Sequence, residues 1–288
     1  MPRSFTVSLR MVLTDPGFAV SVLFTLILCS SAVVYYGTDY NEYTAFTSLL
    51  YFSREEMLTD ISFSSAEVLR KCGTGWLNLF LPIASAFAWA RVFSVKRDSG
   101  FIRFEVVRKK RLSYNISEYL CGFLSAGLVC LLAFWLYAAA VYLLYPDIRL
   151  YDAAEFNALT ERNAVIYGTE VPMQFSGVLL SLSARMFAYG CFVSAPVLAL
   201  AGIARSPYTM LCLPFFLIYA FNQMQDLIMH SAVLSKYASA LYAVRSGMLL
   251  NPGLPLKKVL IPRLLMTAVS FVMFSAVLNH RRKRGDCI

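Results

Sequence analysis

The chain has 288 residues, 58% hydrophobic and only 15% charged, where an ordinary soluble domain carries about 25% charge. Its apolar residues gather into nearly charge-free blocks of about 20, the length that crosses roughly 30 Å of hydrocarbon at 1.5 Å rise per residue. This argues against a soluble core built from amphipathic stripes, and the net charge of +9 lies largely beside these blocks, which assigns it to membrane topology and lipid headgroups rather than to nucleic acid.

Residues 3–14 place Phe5, Leu9 and Val12 at helical spacing ahead of Asp15-Pro16, a capping residue followed by a proline suited to a first helical position. A helix lying at the cytoplasmic interface fits this pattern; a frayed terminus fits it equally. The first span is predicted over 17–36, with Tyr35 and Tyr36 as interface anchors. Arg3 and Arg10 ahead of Phe18 to Val34 imitate a signal peptide, but the apolar run is too long and no small-x-small cleavage site follows. An uncleaved helix is expected.

A polar segment over 39–71 carries six acidic and three basic residues. The second span is predicted over 76–93, with Arg91 near its inner end able to snorkel. Residues 96–112 then hold seven basic and two acidic residues, and the third span is predicted over 119–145. A second polar segment, 146–176, has five acidic and two basic residues. The fourth and fifth spans are predicted over 177–204 and 208–229, joined by a tight turn at Arg205-Ser206-Pro207. The last span is predicted over 260–278 and runs into Arg281, Arg282, Lys283 and Arg284.

The sum is an all-α integral membrane protein of about six transmembrane helices, forming a single membrane domain without internal repeats. The basic 96–112 connection and C-terminal tail face the cytoplasm under the positive-inside bias, so both termini are expected there, in a multi-pass plasma-membrane protein. Residues 230–259 disagree: predicted external, they carry Lys236, Arg245, Lys257 and Lys258 with no acid. Because 232–250 is amphipathic and too polar to span, half-buried external helices are expected there, the alternative being a different number of spans near the C-terminus.

Arg185 and Asp226 fall inside predicted spans, each costing about 2.5–3.5 kcal/mol if placed against lipid at a helix centre. Both belong toward the outer leaflet, where an ion pair between them is the simplest reading and a cargo or gating contact a second. Pro196 and Pro214 interrupt spans, while Pro252, Pro255 and Pro262 lie in or near the external segment before the last one. Cys29, Cys121, Cys130, Cys191 and Cys212 sit in apolar blocks as small core residues, and Cys72 and Cys287 lie outside them. With no CxxC and two histidines, neither a metal site nor a disulfide framework is implied. No HExxH or GxSxG motif appears, and no catalytic residues are predicted.

The most informative stretch runs from Arg97 to Leu120. Gly100 precedes the apolar-rich run Phe101, Ile102, Phe104, Val106 and Val107, broken by Arg103 and Glu105. The basic cluster Arg108, Lys109, Lys110 and Arg111 follows, and the chain then enters the third span. A short helix lying against the membrane is expected here, the alternative being a solvated loop that binds anionic lipid. The segment resembles the permease subunits of ABC-2 type transporters, especially the small six-span kind of Gram-positive bacteria. Asp98, Gly100, Arg108, Tyr114 and Ser117 fall in register with that family's pattern over about 25 residues. Glu118 stands where the family usually has lysine, and Lys110-Arg111 replaces its Ser-Arg element.

What the resemblance implies is a permease working as a homodimer or heterodimer, with its coupling helix between spans two and three docked on an ATPase subunit. Asp98, Gly100, Phe101, Phe104, Arg108, Lys109, Lys110 and Arg111 are the expected coupling residues. The chain lacks a GxxxxGK sequence followed by Ser or Thr, so ATP and magnesium are expected on the partner ATPase and no cofactor on this chain. The implied activity is export of a hydrophobic or amphipathic substrate, whether peptide, lipid or drug-like. A membrane-embedded sensor or accessory subunit is the alternative.

Overall fold

A computed structural model describes residues 2–37, 41–73, 75–108, 111–167, 174–201, 203, 206, 208–209, 212, 215–216, 219–220, 223–224, 250 and 256–283. The chain is mostly helical. Among the described residues four helices are long and apolar enough to cross a membrane: α6 (Leu77–Asp98), α8 (Arg111–Leu144), α10 (Phe175–Ala201) and α11 (Leu256–Lys283). A fifth candidate is a bent pair, α1 (Pro2–Thr14) and α2 (Pro16–Ser30), whose axes meet at 63°.

That bend is written at Asp15-Pro16. Asp15 has extended backbone and its carboxylate accepts the Gly17 N–H at 3.0 Å, capping α2, while Pro16 takes the first helical position where no N–H is needed. The other end of α2 arrives earlier than expected. Ser30 and Ser31 turn their hydroxyls back onto the carbonyls of Ile27 and Leu28, both at 2.7 Å, and the helix stops. Residues 33–36, expected inside the first span, instead form strand β1 (Val33–Tyr36), paired antiparallel with β2 (Glu42–Thr44). Two β-branched residues followed by two tyrosines favour a pleated strand over another helical turn.

Contacts fix the direction of each long helix. Gly17 of α2 lies beside Arg91 and Phe87 of α6, and Ser31 lies beside Gly75, just before α6, so the two helices are antiparallel. α8 returns antiparallel to α6, with Lys96 against Glu118 and Trp89 against Gly122. α10 is antiparallel to α8: Leu198 meets Gly122, Trp135 Nε1 donates to Ser183 Oγ at 3.0 Å, and the Phe175 and Tyr142 rings meet. α11 runs parallel to α10. Ser270 Oγ donates to the Ala195 carbonyl, and further along Phe274 and Leu278 cluster with Leu198 and Ala201.

The bundle therefore has two distinct ends. At one, hereafter the elbow end, α6 passes through a short helix α7 (Phe101–Arg108) into α8, and α1 packs alongside. At the other, the cap end, the two polar segments fold onto one another. The first holds the β1–β2 hairpin and the short helices α3 (Ala45–Tyr51), α4 (Arg54–Met57) and α5 (Ser65–Arg70); the second holds α9 (Ala153–Tyr167). Tyr145 joins them, its hydroxyl bonded to Ser48 Oγ at 2.6 Å and to the Ala45 carbonyl. Tyr151 donates to the Met57 carbonyl at 2.9 Å, and the Ser65 N–H to the Pro146 carbonyl at 2.8 Å. Tyr35, Tyr43, Phe52 and Phe63 stack edge-on or tilted with centroids 5.0–6.2 Å apart, and such pairs are worth about 0.5–1.5 kcal/mol each beyond area burial.

Other predicted boundaries move by a few residues. α8 begins eight residues before the predicted 119, α10 ends at Ala201, and α11 starts at Leu256, four residues before the predicted 260, with Pro262 inside it. The fifth predicted span, 208–229, and the 230–259 segment lie largely outside the described residues.

α8 and α10 approach closely where Gly127 faces Cys191 and Gly190 faces Cys130 and the Ala126 carbonyl. A Cβ at either glycine would overlap its neighbours, so small residues set the separation of the two helices. Gly190→Leu is expected to lower stability by about 1–3 kcal/mol or more through overpacking. A Gly190→Leu protein melting in detergent at the wild-type temperature would refute this.

Candidate functional site

The elbow is built from the end of α6. Ser99 closes that helix, and Gly100, at φ +70°, turns the chain out of it. A Cβ at Gly100 would meet no atom within 4 Å, so it is the left-handed backbone and not a lack of space that calls for glycine. The eight residues of α7 follow at once. Ile102 is buried and Glu105 turns inward, whereas Phe101, Phe104 and Val107, spaced at i, i+3 and i+6, are 41%, 68% and 87% exposed. A short helix thus stands between two long ones and presents an apolar face outward.

The other predicted coupling residues stand toward the two ends of α7 in the chain. Asp98 is exposed, accepts a hydrogen bond from Ser94 Oγ at 3.3 Å, and pairs with Arg97 at 3.4 Å. Arg108 is the last residue of α7 and Arg111, exposed, the first of α8. Lys109 and Lys110 lie outside the described residues. Tyr114 and Ser117 are buried, the latter donating to the Ser113 carbonyl at 2.8 Å.

Beneath the elbow is a polar cluster that the sequence reading did not assemble. Lys96 Nζ lies 2.8 Å from Glu118 Oε1, 3.0 Å from Ser8 Oγ and 3.9 Å from Glu105 Oε2. Ser8 in turn donates to Glu118 Oε1 at 2.7 Å. Lys96 and Glu118 are each less than a twentieth exposed. One ammonium therefore touches α1, α7 and α8 from its position on α6. Glu118, the departure from the family pattern, is the principal counter-ion, and its role became visible only with the helices in place. The signal available in sequence was its offset: the lone carboxylate among the first charge-free turns of the third span.

Two further polar sets lie elsewhere. At the cap end Glu67 pairs with Arg70 and accepts from Asn163 Nδ2 at 3.2 Å, tying α5 to α9. Lys71 beside it donates to the Val34 carbonyl, and burial holds its ammonium below the usual lysine range. Within the bundle, Tyr189 of α10 donates to Asn78 Oδ1 at 2.7 Å, and Asn78 Nδ2 donates to the Gly73 carbonyl at 2.7 Å. Arg263 of α11, a charge the sequence reading passed over, is buried. Arg185 is half-buried on α10, and its predicted partner Asp226 lies outside the described residues. Among the described residues no group of three or more His, Cys, Asp or Glu side chains is arranged to hold a metal ion.

The elbow thus sets an exposed apolar face on α7 above a buried ion-pair cluster. Compared with family models, with curated proteins and with solved structures, the chain shows no match.

Removing one partner of a buried ion pair costs about 3–5 kcal/mol, whereas replacing both by apolar residues is often neutral. Lys96→Met is therefore expected to melt well below wild type, and Lys96→Met combined with Glu118→Leu to recover most of the loss. Thermal unfolding of wild type, Lys96→Met, Glu118→Leu and the double variant in one detergent reads this directly; additive losses in the double variant would show that the pair is not coupled.

Proposed function

We propose that the chain is the membrane-spanning permease subunit of an ATP-driven transporter of the ABC-2 type, working as a homodimer or heterodimer with a separate ATPase chain. The observation that carries this reading is α7, a short helix between two long ones with Phe101, Phe104 and Val107 turned outward and a basic cluster at its end. A nucleotide-driven motor needs such a handle: an apolar ridge to fit a groove and basic groups to meet acidic ones on the partner. The register of Asp98, Gly100, Arg108, Tyr114 and Ser117 with the ABC-2 pattern supports it independently.

Six crossings with both termini in the cytoplasm are part of the proposal. α2, α6 and α8 alternate in direction, yet α10 and α11 run the same way, so Ala201 and Leu256 stand at opposite ends of the bundle. An odd number of crossings has to join them, which supports the predicted span at 208–229. The elbow end, with its basic residues, is then cytoplasmic, and the cap faces outward. The mostly apolar bundle supports export of a hydrophobic or amphipathic cargo.

Affinity purification of the tagged chain from its native membrane tests the central claim. An ATPase chain is expected to co-purify and to be lost on Phe104→Asp with Val107→Asp, or when Arg108 to Arg111 are changed to alanine. Both variants are expected to remain in the membrane at wild-type level. Purification without any ATPase would overturn the transporter reading in favour of a sensor or accessory subunit, and undiminished capture by both variants would overturn α7 as the docking element.

A further inference from the structure

We infer that α3 is an interfacial helix, seating Phe46 and Leu50 in the lipid leaflet at the cap end of the bundle. This rests on the membrane reading of the long helices and not on the docking of an ATPase, and the two fail separately.

The first observation is depth. The stretch of α6 from Trp76 to Lys96 is about 30 Å long, the thickness of the hydrocarbon core. Trp76, at the cap-side end of that stretch, is 59% exposed, as a tryptophan at a membrane–water boundary is. A backbone contact and a hydrogen bond carry the same level across to α3. The residue before Trp76, Gly75, lies against the Ser31 carbonyl, the next residue's carbonyl (Ala32) accepts the Ala45 N–H at 2.9 Å, and Ala45 opens α3. α2 is consistent with this: its 15 residues span only about 22 Å, so the chain leaves helical structure near the boundary and not beyond it.

The second observation is the character of the helix. Ala45 and Ser48 are buried against Tyr145. Phe46 and Leu50, one turn apart on another face, are 61% and 68% exposed. A mutual capping box, Thr44 Oγ1 accepting from the Thr47 N–H at 3.2 Å and Thr47 Oγ1 from the Thr44 N–H at 2.7 Å, holds the helix without help from that outer face. Exposed Glu42 precedes α3, and exposed Arg54, Glu55 and Glu56 follow it, which keeps the segment at the boundary and out of the hydrocarbon. An apolar face, polar flanks and the depth of Trp76 together fit lipid, since an amphipathic helix in this setting sinks its apolar side about 5–10 Å into the headgroup–acyl region.

The test is spin labelling of the full chain in phosphatidylcholine–phosphatidylglycerol vesicles. Cys212 and Cys287 are replaced by serine, and a single label is placed through Phe46→Cys, Leu50→Cys or, as a water-facing control, Glu55→Cys. Labels at 46 and 50 are expected to collide with oxygen several-fold more often than with a water-soluble nickel chelate, and the label at 55 to show the reverse. Nickel-accessible labels at both 46 and 50 would mean that α3 faces water, and immobile labels inaccessible to both reagents that another protein surface, such as a second copy, covers it. Either overturns the inference. If one of the two labelled proteins fails to insert, the other reads the same face.

Discussion

An ammonium buried where four helices converge cannot stand uncompensated. Lys96 has almost no contact with solvent, so its charge must be met by groups that reach it, and the helices are placed so that they do. Ser8 comes from α1, Glu105 from α7 and Glu118 from α8. Each is separated from Lys96 in sequence, yet each loses its electrostatic partner if its helix shifts. The cluster therefore sets where α1 lies against the bundle, how α8 enters it, and how α7 sits over both. Among the described side chains of α7 Ile102 alone is buried, so the ion cluster adds to the hold on this short helix.

A second constraint comes from lengths. α8 is about 51 Å long and α2 about 22 Å, so helices that travel together cannot end together. The difference is taken up at the cap, where the shorter helix gives way to a hairpin and short helices that pack around the end of the longer one. Tyr145, Tyr151 and Asn163 stitch this material to the chain beyond α8. Polar backbone is thereby satisfied close to the hydrocarbon, where leaving it unpaired costs several kcal/mol per group.

The membrane character, the positions of α6, α8, α10 and α11, and the cap at Asp15-Pro16 were legible in the sequence because each depends on neighbours along the chain: length of an apolar run, a side chain reaching its own backbone, a proline without an N–H. The short elbow helix was legible for the same reason, from Gly100 and the apolar run after it. The end of the first span was not. Helix and strand compete closely over Val33 to Tyr36, and the decision fell to pairing with Glu42 to Thr44, a partner that an apolar window does not see.

Glu118 shows the limit most clearly. In the sequence it is a carboxylate at the mouth of a span, out of step with the family that the elbow resembles. In the structure it is the counter-ion of a lysine 22 residues away. Nothing along the chain marks Arg263 as buried; its burial follows from α11 packing along α10. The sequence alone determined which segments are apolar and helical, since hydropathy and local capping are properties of contiguous residues. Only the tertiary structure decided which charges are buried and what neutralises them, because burial and ion pairing arise from residues far apart in the chain.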